Sequence, residues 1–315
     1  MRKYLLKIIL FLSICFVILT FIMLQFGGNI DYFYVKFTTP KAKSLIIGDS
    51  RSMQGIQPKI MNSKLANSKY ELPIFNYSFT VAQASISPLY NNSIEKKLDD
   101  SSKNGLFIIS ITPWMLASDK KNNNALGEYR ESDSPPHNMN YVNVNPNYEY
   151  LFKNLNYFHF KSLFRRSSTM HKDGWLEENN LPKSPEVFIE WKNNQSIIFD
   201  KMISDYTVSK IRLENLVFLI KKLKKHGEIY LVRMPIDQDF IEKEKYFYTD
   251  FDSDMRLIAD SNNIPYINFN QETSNSLNYK TYDGHHLDKK GGSVFTKALC
   301  DSIIEYKQRI ITQTK

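Results

Sequence analysis

Apolar residues cluster along this chain in two ways. One is a single long run, Ile8–Phe26 (IILFLSICFVILTFIMLQF), which contains no charge. The other is a series of short runs: SLIIG (44–48), PIFNYSF (73–79), LFIISIT (106–112), IYLVRMP (230–235 with its lead-in Ile229) and PYINF (265–269). Between the short runs lie polar, helix-like stretches. The pattern predicts helices over Gln57–Ser68, Ala82–Asp100, Val208–His226 and Asp252–Asn262, and a last one from near Asp288 to about Ile311. Short strands that are apolar throughout and alternate with helices predict an α/β fold. We expect a three-layer α/β/α sandwich on a parallel, flavodoxin-like sheet.

The long run has a different meaning. At ~1.5 Å per residue it reaches across a ~30 Å hydrocarbon layer, so one transmembrane helix is expected ahead of the α/β domain. Arg2, Lys3 and Lys7 precede it, which favours a cytoplasmic N-terminus and an extracytoplasmic domain. A cleaved signal peptide is the competing reading, but no small-x-small cleavage site follows the run. The expected organisation is an anchor over 1–27, a juxtamembrane connector over 28–42 and the folded domain over 43–315. In the connector, Tyr32, Phe33 and Tyr34 suit an interfacial belt. From Leu116 to about Tyr206 the alternation breaks. This Asn-rich stretch, followed by YFHFKSLFRR (157–166) and HKDGW (171–175), is either a cap beside the site or a surface excursion.

Composition adds limits. The 315 residues allow a sizeable core, and a formal charge of +8 without a basic stripe interleaved with aromatics argues against nucleic acid as a partner. The only cysteines, Cys15 and Cys300, carry neither a disulfide framework nor a metal site. Cys15 also fails as a lipidation site, because the preceding Leu12-Ser13-Ile14 has a bulky residue where a small one is needed and the apolar run continues past it.

Candidate chemistry begins at the end of the first short run, where Gly48-Asp49-Ser50-Arg51 follows an apolar strand. Taken alone this is turn chemistry. A second block, Asp283-Gly284-His285-His286, lies near the C-terminus. A serine hydroxyl needs a general base of pKa near 7, and an imidazole oriented by a carboxylate supplies one. Parallel sheets present such groups at strand carboxyl ends, and Ser50 falls just past one.

These two blocks together resemble the SGNH (GDSL-type) hydrolase superfamily. The resemblance runs from Lys43 to roughly Ile311 and implies Ser50 as nucleophile, His286 as base and Asp283 as its orienting acid, with His285 as a structural neighbour. The family's middle blocks are altered here: Phe75–Thr80 lacks the oxyanion Gly, and Ser110-Ile111-Thr112-Pro113-Trp114 lacks the Asn. Oxyanion candidates are therefore the backbone N–H of Ser50, Ser78 (or Thr80) and the hydroxyl of Thr112, while Asn76 reads as a turn former. Arg233 and Arg51 are candidates for clamping a substrate, and Trp114 and Trp175 for stacking on a sugar; for each, a place in the core is the competing reading.

The altered blocks resemble those of membrane-anchored members that act on surface polysaccharides. That branch implies an acyl esterase or O-acyltransferase, acetyl being the expected group. The substrate would be an exported glycan, with an envelope acyl-transfer complex as the implied setting and no metal or organic cofactor. The competing class is a catalytically degenerate glycan-binding or assembly component.

Overall fold

In a computed structural model, the structure describes residues 1–154, 167–270 and 279–313. The five short apolar runs form one parallel sheet. Its strands are β1 (Ser44–Ile47), β2 (Ile74–Asn76), β3 (Gly105–Ser110), β4 (Gly227–Arg233) and β5 (Tyr266–Asn268), in spatial order β2-β1-β3-β4-β5.

Alternate residues of each strand feed two cores. Leu45, Ile47, Phe107, Ile109, Ile229 and Leu231 point to one face. There they meet α5 (Pro88–Lys97), α8 (Lys210–Leu223) and α10 (Phe251–Ser261) through residues such as Ile94, Leu219 and Met255. Ile46, Leu106, Ile108, Tyr230 and Val232 point to the other face. They pack on α4 (Pro58–Lys64) and α11 (Lys289–Gln313) through Met61, Phe295 and Leu299. Burial on both faces is why these strands read as continuous apolar runs rather than alternating ones. Gly105 and Gly227 stand opposite each other at the start of β3 and β4, and a Cβ on Gly227 would lie 2.0 Å from the Gly105 carbonyl oxygen. Only glycine allows that approach.

The order of the first three strands places a topological switch between β1 and its two neighbours. Chain leaves β1 for β2 on one side, then returns to β3 on the other, which opens a crevice at the carboxyl end of β1. Ser50 begins α3 (Ser50–Gly55) at that point.

Three differences from expectation have physical reasons. The helix expected from Ala82 starts only at Pro88, because the Ser87 side chain accepts the Tyr90 N–H as N-cap and proline occupies the first turn. Part of the connector 28–42 packs into the domain: α2 (Tyr34–Thr38) buries Tyr34 and Phe37 in the first core. It also buries Lys36, whose ammonium donates to the carbonyls of Asn76 (2.7 Å) and Gly174 (2.9 Å). Lastly, the 116–206 region carries its own elements. They include α6 (Tyr148–Asn154), a hairpin of Ser168–Met170 with Leu176–Glu178, and the 21-residue α7 (Pro185–Asp205). The YFHFKSLFRR stretch lies outside the described residues. The region is clamped to the domain by Arg212 of α8, which pairs in bidentate fashion with buried Glu131 at 2.7 and 3.1 Å. Ahead of all this, α1 (Arg2–Ile30) contains a segment, Arg2–Phe21, of mean hydropathy 2.5 with none of it buried, long and apolar enough to cross a membrane.

Candidate active site

Asp49 fixes the turn that carries Ser50. It is the N-cap of α3, and its carboxylate accepts the Arg51 N–H (3.0 Å) and the Thr112 hydroxyl (2.8 Å). The preceding Gly48 cannot be larger, since a Cβ there would sit 2.3 Å from Ser52 Oγ and 2.8 Å from the Ser110 carbonyl oxygen. Asn76, fully buried at the end of β2, donates its side-chain amide to the carbonyls of Ser52 (2.8 Å) and Ile56 (3.1 Å). It therefore pins α3 to the sheet, a role its sequence context did not reveal.

The second block arrives on a tight loop before α11. Gly284 takes φ +82°, where a side chain would be strained and would meet Phe240. The Gly284 N–H donates to Thr281 Oγ1, whose own hydroxyl donates to Asp237 at 2.8 Å. Asp283 Oδ1 accepts the backbone N–H groups of His285 (3.0 Å) and His286 (2.7 Å), leaving Oδ2 facing His286 Nδ1 at 2.8 Å. Burial pushes the Asp283 carboxyl up, but His286 and these donors outweigh it and hold the group below the usual range. The other nitrogen of His286, Nε2, lies 2.8 Å from Ser50 Oγ across 236 residues of chain. With the proton on Nδ1, as the carboxylate dictates, Nε2 has a lone pair to accept the serine proton. The three groups are 4–9% exposed, dry enough to strengthen the hydrogen bonds while still reachable.

The surroundings hold this row of hydrogen bonds in place. Tyr282 stacks on the His286 ring (5.7 Å between centroids, 14° between planes) and donates its hydroxyl to Gln54 Oε1 of α3 at 2.6 Å. Trp175 donates its indole N–H to the Gln54 carbonyl at 2.6 Å, so it braces α3 and offers little face to a sugar. His285 turns inward against Phe199 and Phe240 and makes no hydrogen bond to Ser50. Burial holds its pKa well below normal, which keeps the ring neutral. A cleft of about 590 Å³ opens beside Tyr282, lined by Phe188, Tyr279, Lys183, Lys280, Asp237 and Asp288 among others.

The other candidates are placed differently. Arg51, Arg233 and Trp114 were expected to be able to touch substrate, and all three are interior, at 1%, 3% and 2% exposure. Both guanidiniums are taken up by Glu244 of α9 (Gln238–Phe247), a fully buried carboxylate between them, and Arg233 also pairs with Asp252. Held in the interior against these carboxylates, neither guanidinium is exposed to clamp a ligand. Trp114 stacks on Phe247 at 4.6 Å and meets Phe199 edge-on at 5.1 Å. Among the oxyanion candidates, the Thr112 hydroxyl is spent on Asp49, and the Ser78 N–H donates to Asn76 Oδ1 at 3.1 Å. The Ser50 N–H, at the first position of α3, has no acceptor within its own helix and makes no hydrogen bond among the described residues. No group of three or more His, Cys, Asp or Glu side chains among the described residues is arranged to hold a metal.

No protein-family model matches the chain, and no curated protein matches it. Among solved structures it is similar to a protein provisionally described as a platelet activating factor from Streptococcus pneumonia. That match has TM-score 0.40 and 11% identity, covering 92% of this chain and 98% of the other. It is also similar to a protein provisionally described as a GDSL-like lipase from Parabacteroides merdae (0.38, 12%, 82% and 94%). A third is a protein provisionally described as an acylhydrolase from Bacteroides fragilis (0.33, 10%, 87% and 93%). Likenesses this remote add nothing to the geometry above.

Proposed function

We propose that this chain is a membrane-anchored, serine-dependent acyl esterase or O-acyltransferase. The observation that carries the reading is the continuous row Ser50 Oγ–His286 Nε2 and His286 Nδ1–Asp283 Oδ2, each 2.8 Å, at the sheet's switch point. Ser50 Oγ attacks the carbonyl carbon of an acyl ester as its proton passes to His286 Nε2. Asp283 stabilises the imidazolium that results. The Ser50 N–H faces the developing oxyanion, and a single donor there supplies ~3 kcal/mol. His286 then returns the proton to the departing alkoxide, leaving an acyl-serine. Water or a second hydroxyl, activated by the same histidine, takes the acyl group and restores the serine. A glycan hydroxyl is the acceptor or leaving group we favour, on the sequence's resemblance to membrane-anchored polysaccharide-modifying proteins. Anchoring is supported by the Arg2–Phe21 segment and by the cations at its start, which would leave the domain outside.

The commitment of Thr112 and Ser78 to other partners favours a second reading, a glycan-binding protein that keeps the fold with little turnover. Detergent-solubilised full-length chain, assayed with p-nitrophenyl acetate and a fluorophosphonate probe beside Ser50→Ala, separates the two. Hydrolysis and labelling that both vanish in Ser50→Ala support the enzyme. Parent protein that neither turns over nor labels rejects it.

A further inference from the structure

The 116–206 region carries a surface that the proposed chemistry does not use. Between Tyr141 and Asn154 three large apolar side chains stand in the open: Tyr141 at 61%, Val144 at 44% and Phe152 at 84% exposure. They are not on a loose loop. Tyr150, in the middle of the stretch, is buried and stacks on Phe37 at 5.2 Å. Asn147 donates to the carbonyls of Phe37 and Tyr141. The Glu149 carboxylate takes the N–H groups of Asn140 and Tyr141, and the Val144 N–H donates to the Phe37 carbonyl. These bonds hold the stretch against the domain as a defined platform, and the exposed polar side chains beside the apolar ones, Asn143, Asn145 and Lys153, suit the boundary between headgroups and acyl chains.

Its position relative to α1 indicates what covers it. Tyr148, one turn before Phe152 on α6, stacks on Phe16 (5.1 Å, 23°), and its hydroxyl lies 3.2 Å from Thr20 Oγ1. Both partners belong to the apolar run Ile8–Phe26. At ~1.5 Å per residue, Thr20 and Phe16 sit roughly 9 and 15 Å inside the end of that run nearest the domain. A platform touching them is at the depth of acyl chains. The Ser168–Met170 strand also runs beside α1, and its hairpin partner Leu176–Glu178 packs on α3, which begins with Ser50. α2 follows α1 after only Asp31–Phe33, a short tether between that helix and the domain.

We propose that the platform Tyr141–Asn154 is a membrane-docking foot, with Tyr141, Val144 and Phe152 embedded in the leaflet on the domain's side. It holds the Ser50 site at the lipid surface rather than out in solution. This rests on the anchoring reading above and is separable from it. The foot differs from the anchor in kind: it lies in one leaflet and spans nothing.

The test uses full-length protein reconstituted in phosphatidylcholine vesicles carrying a photoactivatable diazirine in the acyl chain, followed by trypsin and mass spectrometry. Three peptides are compared: the α1 peptide, Glu131–Lys153, and Tyr246–Arg256, whose Tyr246 is 78% exposed far from the foot in sequence. Crosslinks in α1 and in Glu131–Lys153, the latter exceeding Tyr246–Arg256 by roughly tenfold because the carbene stays within hydrocarbon, are the expected result. Phe152→Asp with Tyr141→Asp removes the second set while α1 keeps its own. Crosslinks in α1 alone overturn the foot and leave the anchor standing. Absence of crosslinks from α1 overturns the anchor, and the foot with it.

Discussion

Replacing Asp283 with asparagine tests the proposed chemistry most directly, because the geometry dictates which way the new amide must point. Oδ1 receives two backbone N–H groups, from His285 and His286, at 3.0 and 2.7 Å. Those donors require an oxygen, so in Asp283→Asn the amide nitrogen takes the Oδ2 position and presents a donor to His286 Nδ1. The ring must then carry its proton on Nε2, and Nε2 can no longer accept from Ser50. The fold is retained, since the loop keeps its δ1 acceptor; losing one charge-assisted bond costs about 1.5–3 kcal/mol of stability. Catalysis loses far more. An inverted tautomer lowers turnover by about 10⁴, which is about 5.5 kcal/mol of transition-state stabilisation. The assay is p-nitrophenyl acetate hydrolysis by full-length protein in detergent, with fluorophosphonate labelling of Ser50 followed in parallel. Both rates should fall together, while circular dichroism stays that of the parent. A folded Asp283→Asn variant within about one order of magnitude of the parent would refute the assignment of roles.

Two further outcomes concern the scaffold. Glu244→Gln leaves the buried Arg51 guanidinium without its carboxylate, and urea unfolding should show a loss of about 3–5 kcal/mol; a change under ~1 kcal/mol would show that the buried network contributes little. Stability should also rise with pH above neutrality. Burial lowers the pKa of Lys97 to about 7, so between that pH and about 10.5 the unfolded chain holds a proton that the folded one has released. Four acceptors around its ammonium, among them the carbonyls of Lys36 and Thr39, soften the effect to a few kcal/mol at most. The gain from pH 7 to 9.5, read by urea unfolding, should shrink in Lys97→Met; an unchanged slope would place its origin elsewhere.

Much of this molecule was legible along the chain. Five apolar runs became five parallel strands because residues buried on both faces leave a local signature that needs no tertiary partner. Gly48-Asp49-Ser50 and Asp283–His286 stood out for the same kind of reason, since a serine on a strand-end turn and an aspartate three residues before a histidine are short-range patterns. The fate of single charges and rings was not written there. Arg51 reads the same whether it faces a substrate or Glu244, which is 193 residues away, and only folding decides that its partner is inside. Trp114 was interior for a similar reason: Phe199 and Phe247 come from two other helices. The role of Asn76 and the depth of α2 likewise depend on bonds between distant segments, as do two lysines buried on backbone carbonyls. Periodicity records how a segment meets the core as a whole. Which donor meets which acceptor is a property of the packed structure, and that is where the site's surroundings were decided.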